Sequence, residues 1–292
     1  MNWADSVPNL LIGLREGLEA ALIVGIVAAF LAQRGRSDAL RFVWLGIALA
    51  IGACIVFALA LQVFSSQLPQ QQQEMFETVI SVVAVVMVTY MIVWMRRHSR
   101  SLKRDLETSA GAALATGTAW ALVLMAVLAV LREGFETSVF LLAAFNASGS
   151  PLAAGFGALA GIVVAAAIGW GMFHGGRRIN LARFFKVTGV VLVFVAAGLV
   201  ATAIHTAHEA GWITFGQTAI ADFRWFMPNG SIFSALLTGV LGIQPEPVAI
   251  EFVGWLLYLV PMLLIVLWPV ASRPLTEAPK VAPAPVGSTT KN

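Results

Sequence analysis

Two stretches of this 292-residue chain carry its chemistry: LREGLEA at 14–20 and LREGFET at 131–137. Each sets an arginine and two glutamates inside an apolar run, as Arg15, Glu16 and Glu19 and again as Arg132, Glu133 and Glu136. At 100° per residue the two glutamates are i,i+3 neighbours and the arginine stands i,i+4 from the second. The three side chains therefore share an arc of about 100° on one helix face. Gly17 and Gly134 remove bulk beside that stripe and let another helix approach. Two such stripes face to face would gather four carboxylates around one point. An all-oxygen set of that kind suits a hard cation such as Fe3+, Mn2+, Mg2+ or Ca2+ and tolerates Fe2+. The arginines cannot ligate a metal. Their role is to hold one carboxylate of each motif by a charge-assisted bond, fixing its rotamer and moderating affinity so that the ion can leave. Each motif has a formal charge of −1 and the pair −2, which a divalent or trivalent cation would offset.

The elements that must position these residues are membrane helices. The chain is 59% hydrophobic and 11% charged, with a mean hydropathy of +0.86, well outside the range of ordinary globular domains. Apolar runs recur at 10–32, 42–64, 76–95, 114–144, 152–173, 184–204 and 252–270. Runs of about 20 residues fit helices crossing a ~30 Å hydrocarbon core, not barrel strands of about 10. The fourth run is longer than a bilayer needs, so it starts in the interface or is tilted or kinked. The expected fold is all-α and polytopic. The transmembrane domain covers 1–272, with repeat one at about 8–100, repeat two at about 110–210, an outer loop at 205–251 and a last helix at 252–270. The outer loop has room for a short re-entrant or interfacial helix near 232–243. From Arg273 onward, 273–292 is rich in Pro, Ala, Ser and Thr and reads as a disordered cytoplasmic tail. The first residues, MNWADSVPN, lack the basic n-region of a cleaved signal peptide and are expected to be retained. The single cysteine, Cys54, excludes an internal disulfide or a thiolate cluster and reads as apolar filler.

An ionised side chain at the bilayer centre costs roughly 2.5–3.5 kcal/mol even on the lenient insertion scale, so six of them mark function before decoration. The plainer account is an intrahelical ion pair that locks helix packing. Basic residues cluster in alternate connections: Arg34, Arg36 and Arg41; Arg96, Arg97, Arg100, Lys103 and Arg104; Arg177, Arg178, Arg183 and Lys186; Arg273, Lys280 and Lys291. The positive-inside rule makes those faces cytoplasmic, with the N-terminus outside and the C-terminus inside. The net charge of +3 therefore reports topology, and nucleic acid is not an expected partner. Acids collect on the outer side, at Asp5, Glu74, Glu77, Glu209, Asp222, Glu246 and Glu251, and such a surface concentrates cations. Within it, the pair Glu74 and Glu77, the group His205, His208 and Glu209, and Glu251 are accessory site candidates; solvated caps at helix ends are the simpler reading. Arg-Glu-Gly-x-Glu repeats at Arg15 and Arg132, and MFETV at 75–79 more weakly resembles FFKVT at 184–188. Three spans per half would invert the second half relative to the first, with the site at the repeat interface.

With these residues in view, the chain resembles the oxidase-dependent iron permease family, known from bacteria and yeast. The family hallmark is Arg-Glu-x-x-Glu in the first and fourth helices. Here it stands as Arg15-Glu16-Gly17-Leu18-Glu19 and Arg132-Glu133-Gly134-Phe135-Glu136. The likeness extends through the third span, FETVISVVAVVMVTYMIVWM, the sixth, RFFKVTGVVLVFVAAGL, its HEAG exit, and a last helix entered through Glu251. It implies seven helices and iron uptake across a bacterial inner membrane. It also implies an extracytoplasmic partner that oxidises or delivers iron, with iron as substrate and no resident cofactor. Carried over as iron ligands are Glu16, Glu19, Glu133 and Glu136, with Glu77 as an accessory. One departure lies at the sixth exit: related bacterial sequences often read His-Glu-x-x-Glu, whereas this chain has His205-Thr206-Ala207-His208-Glu209. The alternatives are a permease for another divalent cation such as Mn2+, a proton-coupled carrier using the glutamates as a relay, and a structural partner subunit. An intramembrane metalloenzyme would need a general base and an open metal position; the chain has no HExxH or comparable arrangement, so an enzyme is not expected.

Overall fold

A computed structural model describes residues 6–33, 35, 37–98, 108, 119–146, 151–173, 181–220, 222, 223, 225, 227, 234, 237–243 and 246–268. Among these residues the long elements are all helical: α1 (Ser6–Gln33), α2 (Ser37–Ser66), α3 (Gln70–His98), α4 (Ala119–Asn146), α5 (Pro151–Phe173), α6 (Leu181–Glu209) and α7 (Ala249–Leu267). A five-residue π-helical turn, Leu237–Leu241, lies between α6 and α7, and a lone antiparallel bridge joins Ala219 to Val248. Five helices, α2, α3, α5, α6 and α7, are long and apolar enough to cross a membrane. α1 and α4 have 28 residues each and carry the charged triads. Exposed leucines, valines and isoleucines line the outward faces of α2, α3 and α5, among them Leu49, Ile55, Val56, Val86, Leu159 and Val163. On a helix of this length such a face is solvated by lipid.

Local sequence sets the helix ends. Pro8 falls in the first turn of α1 and Pro151 opens α5, where an N–H has no intrahelical partner to lose. α6 stops at a left-handed Gly211, with φ of 81°; the Gly211 and Trp212 amides donate to the carbonyls of His208 and Ala207. Pro261 sits inside α7, a position that membrane helices accommodate.

Contacts between helices fix their directions. Along α1, Ser6, Leu10, Gly17 and Ala21 meet Gly157, Gly161, Ala165 and Gly169 of α5 in the same order, so the two run parallel. α2 and α4 also run parallel, with Phe42 on Trp120, Gly46 on Val127, Cys54 on Gly134 and Phe57 on Phe135. Gln71 at the start of α3 reaches the Ala210 carbonyl at the end of α6, so that pair is antiparallel. Arg96 near the end of α3 reaches the Trp268 carbonyl just past α7, so α3 and α7 run parallel. α1 packs chiefly on α5, α2 on α4, α3 on α6, and α7 on α6; α1 and α4 meet in the middle.

The observed ends differ from the sequence expectation by several residues. α3 starts at Gln70 instead of 76, and α7 runs Ala249–Leu267 instead of 252–270. α6 continues to Glu209, past the expected start of the outer loop at 205. Hydropathy marks the greasy centre of a helix, whereas backbone hydrogen bonding continues into the polar turns beyond it. The expected start of the fourth run at 114, the tail at 273–292 and most of the basic connections lie outside the described residues.

Candidate metal centre

Glu16, Glu19 and Glu133 are buried, and each offers a carboxylate oxygen within 4.8 Å of the other two. Three points so related share a centre no more than about 2.8 Å from each, a small inward movement from the roughly 2.0–2.6 Å that hard cations take from oxygen. The cluster forms because parallel packing of α1 on α5 and of α2 on α4 leaves the carboxylate faces of α1 and α4 against each other. The glycines serve that packing separately. A Cβ on Gly17 would stand 2.8 Å from the Cβ of Ala165 on α5, and one on Gly134 would overlap the Cys54 Sγ of α2. Each motif glycine thus admits a neighbouring helix, α5 at Gly17 and α2 at Gly134, and Cys54 is filler beside the second motif. Its thiol also points at the Leu131 carbonyl, 3.8 Å away.

Each arginine bonds the second glutamate of its own motif: Arg15 Nε donates to Glu19 Oε1 at 3.3 Å and Arg132 Nε to Glu136 Oε1 at 2.9 Å. Glu136 stays with Arg132 at the edge of the cluster, close enough to act electrostatically on Glu16, Glu19 and Glu133. Three carboxylates therefore converge and the fourth stands beside them. Both oxygens of Glu16 and the Nη1 of Arg15 are buried without a hydrogen-bond partner. A buried carboxylate with neither oxygen satisfied is strongly unfavourable unless something positive meets it. In the deprotonated form that binds a metal, Glu16, Glu19 and Glu133 with Arg15 sum to −2, and the Glu136–Arg132 pair adds nothing, so a divalent cation balances the group.

The accessory candidates fall in two sets. At the shared end of α3, α6 and α7, His205 Nδ1 lies 2.9 Å from Glu251 Oε1 and its Nε2 lies 3.5 Å from Glu209 Oε1. Glu209 is in hydrogen-bond contact with Glu74, and Glu77 lies nearby, held by Gln73 Nε2 at 3.2 Å. Glu251 is buried while His205 and Glu209 are exposed. His208 stands apart: its Nδ1 pairs with the Ile213 carbonyl at 2.7 Å, which makes it part of the turn that ends α6. Thr206 is buried with its hydroxyl 2.7 Å from that of Thr78 on α3. A carboxylate there would be buried between α3 and α6. Sequence reasoning did not single out this hydroxyl pair, or the matching Thr89–Tyr258 pair between α3 and α7 at 2.7 Å. Thr78, Thr89 and Thr206 also bond carbonyls of their own helices, so a threonine's spacing along a helix does not say whether it meets a neighbour as well.

A model of the Iron permease FTR1 family matches residues 6–273. The chain is 41% identical over 269 residues to the ferrous iron permease EfeU of Escherichia coli O6:H1 strain CFT073, covering 90% of this chain and 95% of that one. It is 39% identical over 281 residues to the ferrous iron permease EfeU of Yersinia pestis, covering 94% and 98%. No solved structure matches the chain.

Proposed function

The chain belongs to the Iron permease FTR1 family, and on that footing we propose that it carries iron inward across a bacterial inner membrane, with Glu16, Glu19 and Glu133 as the central ligands. The observation that carries the site is the buried Glu16 carboxylate with both oxygens unsatisfied, set beside two further buried carboxylates. Glu136 completes the set from the rim. Arg15 and Arg132 orient the second glutamate of each motif and limit the net charge, so that the ion is held without being trapped.

In this reading the halves α1–α3 and α4–α6 are inverted copies. The packing supports it, because α1 on α5 mirrors α4 on α2 and both pairs run parallel. Seven spans then place the N-terminus outside, and the charge of the alternate connections supports that orientation. Glu74, Glu77, Glu209, His205 and Glu251 form an acidic mouth on the outer side, to which an extracytoplasmic oxidase or delivery protein supplies the ion. An inside-negative potential favours entry by about 2.3 kcal/mol per charge per 100 mV.

The test is iron uptake into vesicles that contain the purified chain alone, with Mn2+ as competitor and with and without a pH gradient. Uptake is expected in the wild type and absent from Glu16→Ala and Glu133→Ala, which still insert in the membrane. Normal uptake by the correctly inserted double variant overturns the assignment. Preference for Mn2+, or uptake that requires the pH gradient, replaces it with one of the other transport readings.

A further inference from the structure

The two motifs share a sequence but not an environment. On the first, Arg15 and Leu18 are buried, at 1% and 2% exposure. At the equivalent positions of the second, Arg132 has a side chain 56% exposed and Phe135 is 39% exposed. The carboxylate faces do not differ in this way, since Glu16 and Glu133 are both buried. At 100° per residue the arginine stands at one edge of the carboxylate face, and the fourth motif residue lies about 60° beyond it, on the side away from both glutamates, so the two mark a strip that flanks that face. This side strip is covered on α1 and open on α4.

α1 is covered along its length by α5, and the π-helical turn adds to that cover from another side. Leu237–Leu241 packs on α6 and also touches α1. Gly242, with φ of 68°, sits backbone to backbone on Gly198 of α6, where a Cβ on either glycine would overlap the other residue. Trp255 of α7 secures the turn by donating its indole N–H to the Leu241 carbonyl at 2.7 Å, and Thr238 Oγ1 bonds the Ile243 carbonyl at 3.0 Å. Gly198 lies eleven residues, about 16 Å, inside the end of α6 at Glu209. The same distance along α1 from Ser6, on the same side of the bundle, is Gly17. The chain therefore leaves the end of α6 and dips back to the depth of the first motif. Irregular backbone at that depth persists only where protein buries it or a water-filled cavity adjoins it. Among the described residues no turn packs against α4 to the extent that this one packs against α1. An arginine in the middle of a spanning helix faces protein or water, which marks the uncovered Arg132 side as the wet one.

We propose that the segment Leu237–Ile243 is a plug: docked through Gly242 on Gly198, it closes the ion path on the Arg15 side while the Arg132 side stands open. Withdrawal of the plug opens the Arg15 side to the end of the bundle at which α1 begins. This rests on the iron-permease reading for what passes, but the closure is testable without iron.

The experiment uses the full chain in detergent, with Cys54→Ser as background and one reporter, Leu18→Cys or Phe135→Cys, exposed to a charged thiol reagent. In the docked state Leu18→Cys is expected to react at least about tenfold more slowly than Phe135→Cys, as for a site reached only by local opening. Gly198→Leu, which keeps α6 helical but fills the docking point, is expected to raise the Leu18→Cys rate about tenfold and leave Phe135→Cys within about twofold. Gly242→Ala, strained at its positive φ, is expected to act in the same direction, and a monodisperse helical product shows that either variant has folded. An unchanged Leu18→Cys rate in a folded variant, or equal rates for the two reporters at the outset, overturns the plug. Failure of iron uptake with the reactivity pattern intact overturns the iron reading alone.

Discussion

The first and second motifs use the same arrangement of Arg, Glu, Gly and Glu, and each makes the same internal bond from arginine to its second glutamate. Their neighbours differ. α1 is clasped along its length by α5, with Gly157 and Gly161 letting α1 backbone come close, and the turn at Leu237–Leu241 adds cover from the side. α4 leans on α2 through larger side chains, Val123, Val127, Cys54 and Phe57, and keeps an open flank. Local sequence thus sets the pair within a motif, and packing decides how much water the pair meets. Because the strength of an ion pair depends on its surroundings, equivalent substitutions in the two motifs should have unequal effects.

The largest expected inequality concerns ligands. Glu16 has two unsatisfied oxygens and Glu136 is held by Arg132. Glu16→Gln should reduce the initial rate of iron uptake by about a hundredfold or more, and Glu136→Gln by about tenfold, given the ~10–100-fold cost of losing an outer-shell partner. Equal losses measured in vesicles would erase the distinction between centre and rim. Next come the arginines: Arg15→Met leaves Glu19 buried and unpaired, an expected loss of about 3–5 kcal/mol. Arg132→Met breaks a solvent-reached pair and should cost about 1 kcal/mol or less. Denaturation midpoints of the two variants in detergent check the order.

The glycines separate the two helix interfaces at a smaller scale. Gly134→Ala collides only with the Cys54 side chain, so its overpacking cost of about 1–3 kcal/mol should be largely recovered by adding Cys54→Ala. Gly17→Ala meets both the Ala165 Cβ and the Ile162 backbone, the latter 3.4 Å away, so Ala165→Gly should restore it less completely; a double-mutant cycle at each pair measures the difference. The smallest effect is that of Phe135→Leu, which gives the second motif the residue of the first. It removes an edge-on contact with Phe57, with centroids 5.0 Å apart, and should cost about 0.5–1.5 kcal/mol.

Much of this molecule was legible in its sequence. Seven apolar runs marked the seven long helices seen among the described residues, because a helix must hide its own backbone polar groups from lipid. The paired charged stripes were visible because i,i+3 and i,i+4 spacing is a property of one helix and needs no knowledge of the rest. The linkage of Glu74, Glu209, His205 and Glu251 was half legible: each residue stood at a helix mouth, but which acid meets which imidazole depends on how α3, α6 and α7 are placed. The role of His208 as a turn partner and the burial of Thr206 against Thr78 were not legible, since both depend on contacts across the chain.

The sequence by itself determined the long helices found among the described residues, the identity of the charged groups and that each arginine can reach a carboxylate of its own motif, all consequences of covalent order and helical period. Only the tertiary structure decided that three carboxylates converge while the fourth stays with Arg132, and that Arg15 is covered while Arg132 is open. The physical reason is that lipid-facing and protein-facing helix surfaces are equally apolar. Hydropathy therefore cannot say which face meets which neighbour, and small residues in close contact, Gly161 on α1 and Gly242 on Gly198, settle it instead.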